Sequence, residues 1–194
     1  MYQLRGKLSI VMPAYNEEAL IYNSIMQTLS IVEQFAPDLE IIAVNDGSKD
    51  KTKQEIERAI RDDAKQPHPV VPGMRVSGTR IKLVTSNKNR GKGNAIISGI
   101  SQAEGDYIAF VDADLELNPA QLEGYLKKMQ ESGSDVVIGC KFHKDSELHY
   151  PFVRKVISLG YYMMLLVLFH LNVRDTQTLS LIHISEPTRR TPIS

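Results

Sequence analysis

Only one cysteine, Cys140, occurs in 194 residues. No intrachain disulfide can form, and the usage fits a reducing compartment. An excess of charge of either sign is missing too. Lys+Arg and Asp+Glu each total 23, and zero net charge removes the electrostatic case for nucleic acid as a partner. Met1 to Lys7 lacks an apolar signal core, which reads against secretion. The run Val156 to Leu171 carries no Asp, Glu, Lys or Arg, but at sixteen residues it falls short of the about 20 that a spanning helix needs. No internal repeat and no low-complexity tract interrupts the chain. What is present, 42% hydrophobic and 24% charged residues, is a globular composition sufficient for one domain with a substantial core.

Apolar strand-like runs alternate with helical patterns from the start. Leu8 to Ala14 reads as a strand. Glu17 to Phe35 follows as a helix, with Leu20, Ile21, Ile25, Leu29 and Val32 at helical spacing. Glu40 to Val44 is a second strand and Asp50 to Ala64 a polar helix; Gln66 to Arg80, rich in Pro and Gly, is a loop. Ile81 to Thr85, Gly91 to Ala103 and Tyr107 to Val111 continue as strand, helix and strand. Asn118-Pro119 opens a helix ending near Gly133, and Asp135 to Ile138 is a fifth strand. Repeated βα units with continuous apolar strands predict an α/β fold, a mainly parallel sheet with helices on both faces. In such sheets ligands bind beyond the C-terminal strand ends.

Each of these ends carries polar residues of a kind a nucleotide site could use. The fourth strand closes on Asp112-Ala113-Asp114. If the extension continues, the two-residue period turns Asp112, Asp114 and Glu116 to one face, a set of hard oxygen donors suited to Mg²⁺ or Mn²⁺ with positions left for phosphates. An acidic, solvated strand end accounts for an isolated Asp-x-Asp equally well. Pro13-Ala14-Tyr15-Asn16-Glu17-Glu18 follows the first strand. Tyr15 could stack on a base and Asn16 or Glu17 could bond base or ribose, while Asn16 and Glu18 also suit a helix start. Asn45-Asp46-Gly47-Ser48-Lys49-Asp50 follows the second, with Asp46 a candidate acceptor and Ser48 or Asp50 a cap. After the third come Asn89-Arg90-Gly91-Lys92-Gly93, whose glycines could expose N–H groups and whose Arg90 and Lys92 bring charge suited to a diphosphate. A solvated basic turn is the alternative. The spacing is not that of a Walker loop, and no Gly-x-Gly-x-x-Gly follows the first strand, so P-loop NTPase and dinucleotide dehydrogenase are disfavoured.

These four motifs occur in the order seen in family 2 glycosyltransferases, and from about Lys7 to Thr178 the chain resembles that family. It looks most like the branch of dolichyl-phosphate glucosyltransferases and bacterial polyprenyl-phosphate sugar transferases. The resemblance implies the GT-A fold, an inverting mechanism and a nucleotide-sugar donor of the UDP-glucose or GDP-mannose type. By carry-over, Pro13, Tyr15, Glu17 and Asp46 would line the nucleoside pocket with Lys92 nearby, and Arg90 is kept as a nucleotide-binding candidate on its charge. Asp112 and Asp114 would hold the metal diphosphate, and Glu116 would take the third ligand position. Asn45 stands where the family often has a first Asp.

On the acceptor side, Arg154 and Lys155 precede the apolar run and Arg174 follows it. That arrangement suits peripheral contact with anionic headgroups or a lipid phosphate at the cytoplasmic membrane face, and equally a helix packed on the sheet. Asp175 is the candidate acceptor-side acid, or a turn residue. A polyprenyl phosphate is already anionic and needs no general base, unlike the sugar hydroxyl that is the alternative acceptor. Two readings from other classes compete: a nucleotidyltransferase of similar fold, disfavoured by Ala14-Tyr15-Asn16-Glu17 where a glycine-rich basic loop is needed, and a non-catalytic Mg²⁺-binding regulatory module. Leu179 to Ser194 continues none of the preceding pattern. It resembles translated sequencing adapter, which would make residues 1–178 a C-terminally truncated domain and residues 179–194 a non-native, disordered tail.

Overall fold

Four strands of largely apolar character set the centre of the molecule. In a computed structural model that describes residues 2–66, 79–116, 118–138 and 180–183, the order is β1 (Leu8–Ala14), α1 (Ile21–Val32), β2 (Leu39–Asp46), α2 (Thr52–Asp63), β3 (Ile81–Ser86), α3 (Lys92–Ile100), β4 (Tyr107–Phe110), α4 (Gln121–Ser132), β5 (Val136–Ile138) and β6 (Ser180–His183). The sheet order is β3-β2-β1-β4-β6-β5. Strands β3, β2, β1 and β4 are parallel, with Leu8 opposite both Leu39 and Tyr107. Residues 138–179 form a second unit, of which only Ile138 is described. The apolar run with its flanking Arg154, Lys155 and Arg174, and the acid Asp175, therefore lie outside the described residues. Among the described residues no helix is long and apolar enough to cross a membrane.

The path reverses at β1. From β1 the chain steps outward to β2 and β3, then returns to the other side of β1 to form β4. Because parallel crossovers are right-handed, this reversal puts α1 and α2 on one face and α3 on the other. Packing agrees with it. Val11, Ile42, Val44, Ala95 and Ile108 form one buried cluster under α3, while Ile10, Met12, Ile41 and Ala43, the alternate positions, are also fully buried. All eight residues of β2 are buried, which explains why the run carries no polar alternation. Helix α3 approaches closely because Gly99 sits over Val11 and Val44, where a Cβ would come within 2.3 Å of Val11 Cγ1.

The helices are shorter than their sequence patterns suggest. Helix α1 begins at Ile21, four residues inside the expected start; it is entered through a turn in which the Glu17 carbonyl accepts the Leu20 N–H at 3.1 Å, after Asn16 with a left-handed φ of 57°. Helix α4 ends on Gly133 in the left-handed conformation, as a glycine just past a helix favours. Ser180–His183, within the segment expected from sequence to be a disordered tail, runs antiparallel to β4 with His183 opposite Tyr107 and Leu181 opposite Ala109. A free edge of β4 offers unpaired N–H and C=O groups, and a short segment rich in Leu and Ile supplies partners for them.

Candidate active site

The first two loops above the sheet are bound to each other. Asn16 N–H donates to Ser48 Oγ at 3.0 Å, Glu17 N–H to Thr52 Oγ1 at 2.7 Å and Glu18 N–H to Asp50 Oδ2 at 3.1 Å. In return Lys49 N–H donates to Asn16 Oδ1 at 2.9 Å and Lys51 N–H to Glu18 Oε2 at 2.8 Å. Asp50 also receives the Thr52 N–H at 3.0 Å, which caps α2 as its sequence position suggests. Asn16, Glu18, Ser48 and Asp50 thus build the wall of a site, leaving Tyr15 and Glu17 to face it.

Asp46 ties the third loop to the second. Its carboxylate, on a residue only 3% exposed, accepts the Arg90 N–H at 3.1 Å and the Gly91 N–H at 2.8 Å. Gly47, at φ 69°, lies so close to this loop that a Cβ would meet the Lys88 carbonyl carbon at 2.4 Å. Two readings of the loop change as a result. Arg90 contributes its main-chain amide, and its exposed side chain is not among those lining the cleft. The Gly91 amide is taken by Asp46 and by Asn89 Oδ1 at 2.9 Å, so it is not presented to a phosphate.

The acidic turn also departs from the extended geometry. Strand β4 stops at Phe110, Leu115 N–H donates back to Asp112 C=O at 3.1 Å, and Leu115 has a φ of 50°. A turn does not preserve the two-residue period. Asp112 and Asp114 still face one cleft, but Glu116 is not among its lining residues; its N–H donates to Asp114 Oδ1 at 3.1 Å. Among the described residues no three His, Cys, Asp or Glu side chains are grouped to hold a metal ion. Two carboxylates remain, and these fit a hard divalent cation that completes its coordination from substrate phosphates and water.

The cleft has a volume of about 330 Å³, the scale of a small-ligand site. Pro13 and Ala14 line it from the end of β1, Tyr15 and Glu17 from the loop after it, Asp46 from the end of β2, Asn89, Lys92 and Ala95 from the β3–α3 junction, and Asp112, Ala113 and Asp114 from the turn after β4. It opens at the C-terminal strand ends where the sheet order reverses, the position ligands occupy in such sheets. Lys92 Nζ pairs with Asp112 Oδ1 at 2.7 Å. Burial, with the nearby charges of Asp114 and Asp50, pushes the Glu17 carboxyl above its ordinary range. Asn89 and Ala95 were not singled out from sequence. Asn89 stands in the motif that was, whereas Ala95 shows no feature beyond small size.

With this geometry in view, similarity to known proteins decides the family. The family model described as Glycosyl transferase family 2 matches residues 9–185. The chain belongs to glycosyl transferase family 2. It is 35% identical over 131 residues to an undecaprenyl-phosphate 4-deoxy-4-formamido-L-arabinose transferase of Enterobacter sp. (strain 638), a match covering 68% of this chain and 36% of that protein. It is 30% identical over 196 residues to a dolichyl-phosphate beta-glucosyltransferase of Dictyostelium discoideum, covering 94% of this chain and 55% of the other. The chain thus spans between about a third and about half of these relatives' length. In fold it is similar to a mannosyltransferase from Pyrobaculum calidifontis solved with GDP-Man and Mn2+. That match has a TM-score of 0.60 at 18% identity and covers 93% of this chain and 45% of the other. The fold expected from the family resemblance, a mainly parallel sheet sandwiched by helices, is the one observed.

Proposed function

We propose that this family 2 chain carries the donor site of a metal-dependent inverting glycosyltransferase. It would move a hexose from a nucleotide sugar of the UDP-glucose or GDP-mannose type to a polyprenyl phosphate at the cytoplasmic face of a membrane. The observation that carries the reading is one cleft lined together by an aromatic and a buried acid, Tyr15 and Asp46, and by two carboxylates with a lysine paired to one of them, Asp112, Asp114 and Lys92. That set supplies what a nucleoside diphosphate needs, a stacking ring and acceptors for base and ribose and a metal-binding and cationic group for the phosphates. The relatives named above, which act on undecaprenyl and dolichyl phosphates by their names, support the acceptor class.

In this reading Tyr15 stacks on the base, and Glu17 and Asp46 accept from base or ribose donors. Asp112 and Asp114 would hold Mg²⁺ or Mn²⁺, which when bound neutralises charge building on the departing diphosphate. Lys92, now on Asp112, can exchange that partner for a phosphate oxygen and share the same task. The acceptor phosphate is anionic near neutral pH, so the protein's work is alignment and leaving-group stabilisation rather than proton removal. Asp175 is proposed on the acceptor side, and residues 154–174 as the membrane contact.

Calorimetry with UDP and with GDP, each in Mn²⁺ and in a chelator, tests the donor reading. Metal-dependent binding of one nucleotide, lost in Asp114→Asn, is expected. Metal binding with no nucleotide binding would favour the regulatory-module reading. Nucleotide binding indifferent to the chelator would overturn the assignment of Asp112 and Asp114.

A further inference from the structure

The turn that carries both acids is held from below by a side chain 89 residues away in sequence. Ser24, on the buried face of α1 and only 5% exposed, points its hydroxyl at the carbonyl oxygen of Ala113, the residue between Asp112 and Asp114. A buried serine in a helix would by default return its proton to the carbonyl four residues back. Leu20 C=O, which accepts the Ser24 N–H at 3.0 Å, also lies 3.1 Å from the hydroxyl, but the Ala113 carbonyl oxygen is the nearer acceptor for its single proton. Ala113 is itself 4% exposed, so its carbonyl is one whose pairing matters, because a buried acceptor left without a donor is costly.

From this geometry we infer that Ser24 is a positioning residue, whose hydroxyl fixes the Ala113 carbonyl and thereby the relative aim of the Asp112 and Asp114 carboxylates toward a metal-bound diphosphate. The inference rests on the donor reading above. Val111 is tied to β1 through its N–H to Val11 C=O at 3.1 Å and Leu115 to Asp112 C=O at 3.1 Å, so the middle of the turn is the point Ser24 secures. Helix α1 also starts from the Glu17 carbonyl, which accepts the Ile21 N–H at 2.9 Å. Ser24 therefore connects the acid turn to the same helix that follows the nucleoside wall.

The test compares Ser24→Ala with Thr28→Val in the 194-residue chain. Thr28 lies one helical turn on, fully buried, and its hydroxyl has no hydrogen-bond partner among the described residues. Amide hydrogen exchange is read at Leu115 without any ligand. Ser24→Ala is expected to speed exchange there about tenfold relative to Thr28→Val, with Ser24→Thr returning it toward wild type. Binding is read with Mn²⁺ and UDP or GDP, and with uridine or guanosine alone. Ser24→Ala should weaken diphosphate binding about tenfold and leave nucleoside binding within about twofold. If Ser24→Ala fails to fold, Ser24→Cys, similar in size but a weaker donor, should show the same split at smaller amplitude. Unchanged exchange at Leu115, or an equal loss for nucleoside and diphosphate, overturns the proposal. Wild-type protein that binds neither nucleotide would instead contradict the donor reading, while the exchange result still decides whether Ser24 anchors the turn.

Discussion

The two ends of the parallel sheet use the same residue types to opposite ends. At the N-terminal strand ends, Glu40 has a side chain 4% exposed. It accepts hydrogen bonds from Ser9 Oγ at 2.6 Å and from Glu104 N–H at 2.7 Å, and pairs with Lys7 at 3.1 Å and Lys82 at 2.9 Å. Burial pushes its carboxyl up, but these donors outweigh burial and hold it below its ordinary range. At the C-terminal ends, Asp112 has one lysine and a side chain 43% exposed. One acid is closed on every side by protein, and the other keeps lone pairs open to a cleft. Acid–lysine pairs as such do not mark a site; the openness of their remaining coordination does.

Breaking the closed end should cost the most stability. Glu40→Ala leaves Lys7 and Lys82 with Glu104 among the described residues and strips the Ser9 hydroxyl and the Glu104 N–H of their acceptor, a loss of about 3 kcal/mol. A lower Tm with metal-dependent nucleotide binding intact, measured well below that Tm, is the expected outcome; loss of binding in folded protein would show that the two ends are coupled. Gly47→Ala strikes the open end instead. Its φ and its contact with the Lys88–Asn89 backbone should cost about 2 kcal/mol. It should also weaken nucleotide binding by displacing the loop that Asp46 holds, so an affinity unchanged from wild type would refute the bracing role.

Acid separates the two ends with opposite signs. Lys82 and Lys7 hold the Glu104 carboxyl at about 2 rather than 4.5. Its contribution is full above 4.5 and is lost as pH falls toward 2. Because Glu104 is 56% exposed, solvent screening keeps that contribution below about 1 kcal/mol. Glu104→Gln should flatten the acid limb of a stability–pH curve, and an unaltered limb would remove Glu104 from the account. Glu17 shifts the other way. Its raised carboxyl binds a proton more readily in the folded state, so ionised Glu17 works against folding near neutral pH. Glu17→Gln should stabilise by less than about 0.5 kcal/mol while weakening nucleotide binding; a destabilised variant would contradict the repulsion from Asp114 and Asp50.

Much of this arrangement could be read in sequence because it depends on local pattern. Apolar runs set the parallel strands within one or two residues, and each candidate loop falls at a strand end as expected. What could not be read depends on contacts across the chain. Nothing near Asp46 announces that its carboxylate also accepts the amides of Arg90 and Gly91, and nothing near Ser24 announces Ala113. Glu116 left the expected acidic face because a turn at Leu115 ended the extension, a backbone choice that two-residue periodicity does not contain. The edge pairing of Ser180–His183 likewise depends on β4 having a free side.

Paramagnetic broadening by Mn²⁺ in the presence of UDP or GDP, read over the amide NMR spectrum, tests the contrast between the ends most directly. Broadening centred on residues 111–115 and on Lys92, with Lys7, Glu40 and Glu104 unaffected, is the result expected. Broadening centred on the Glu40 end, or none at all with nucleotide bound, would contradict it.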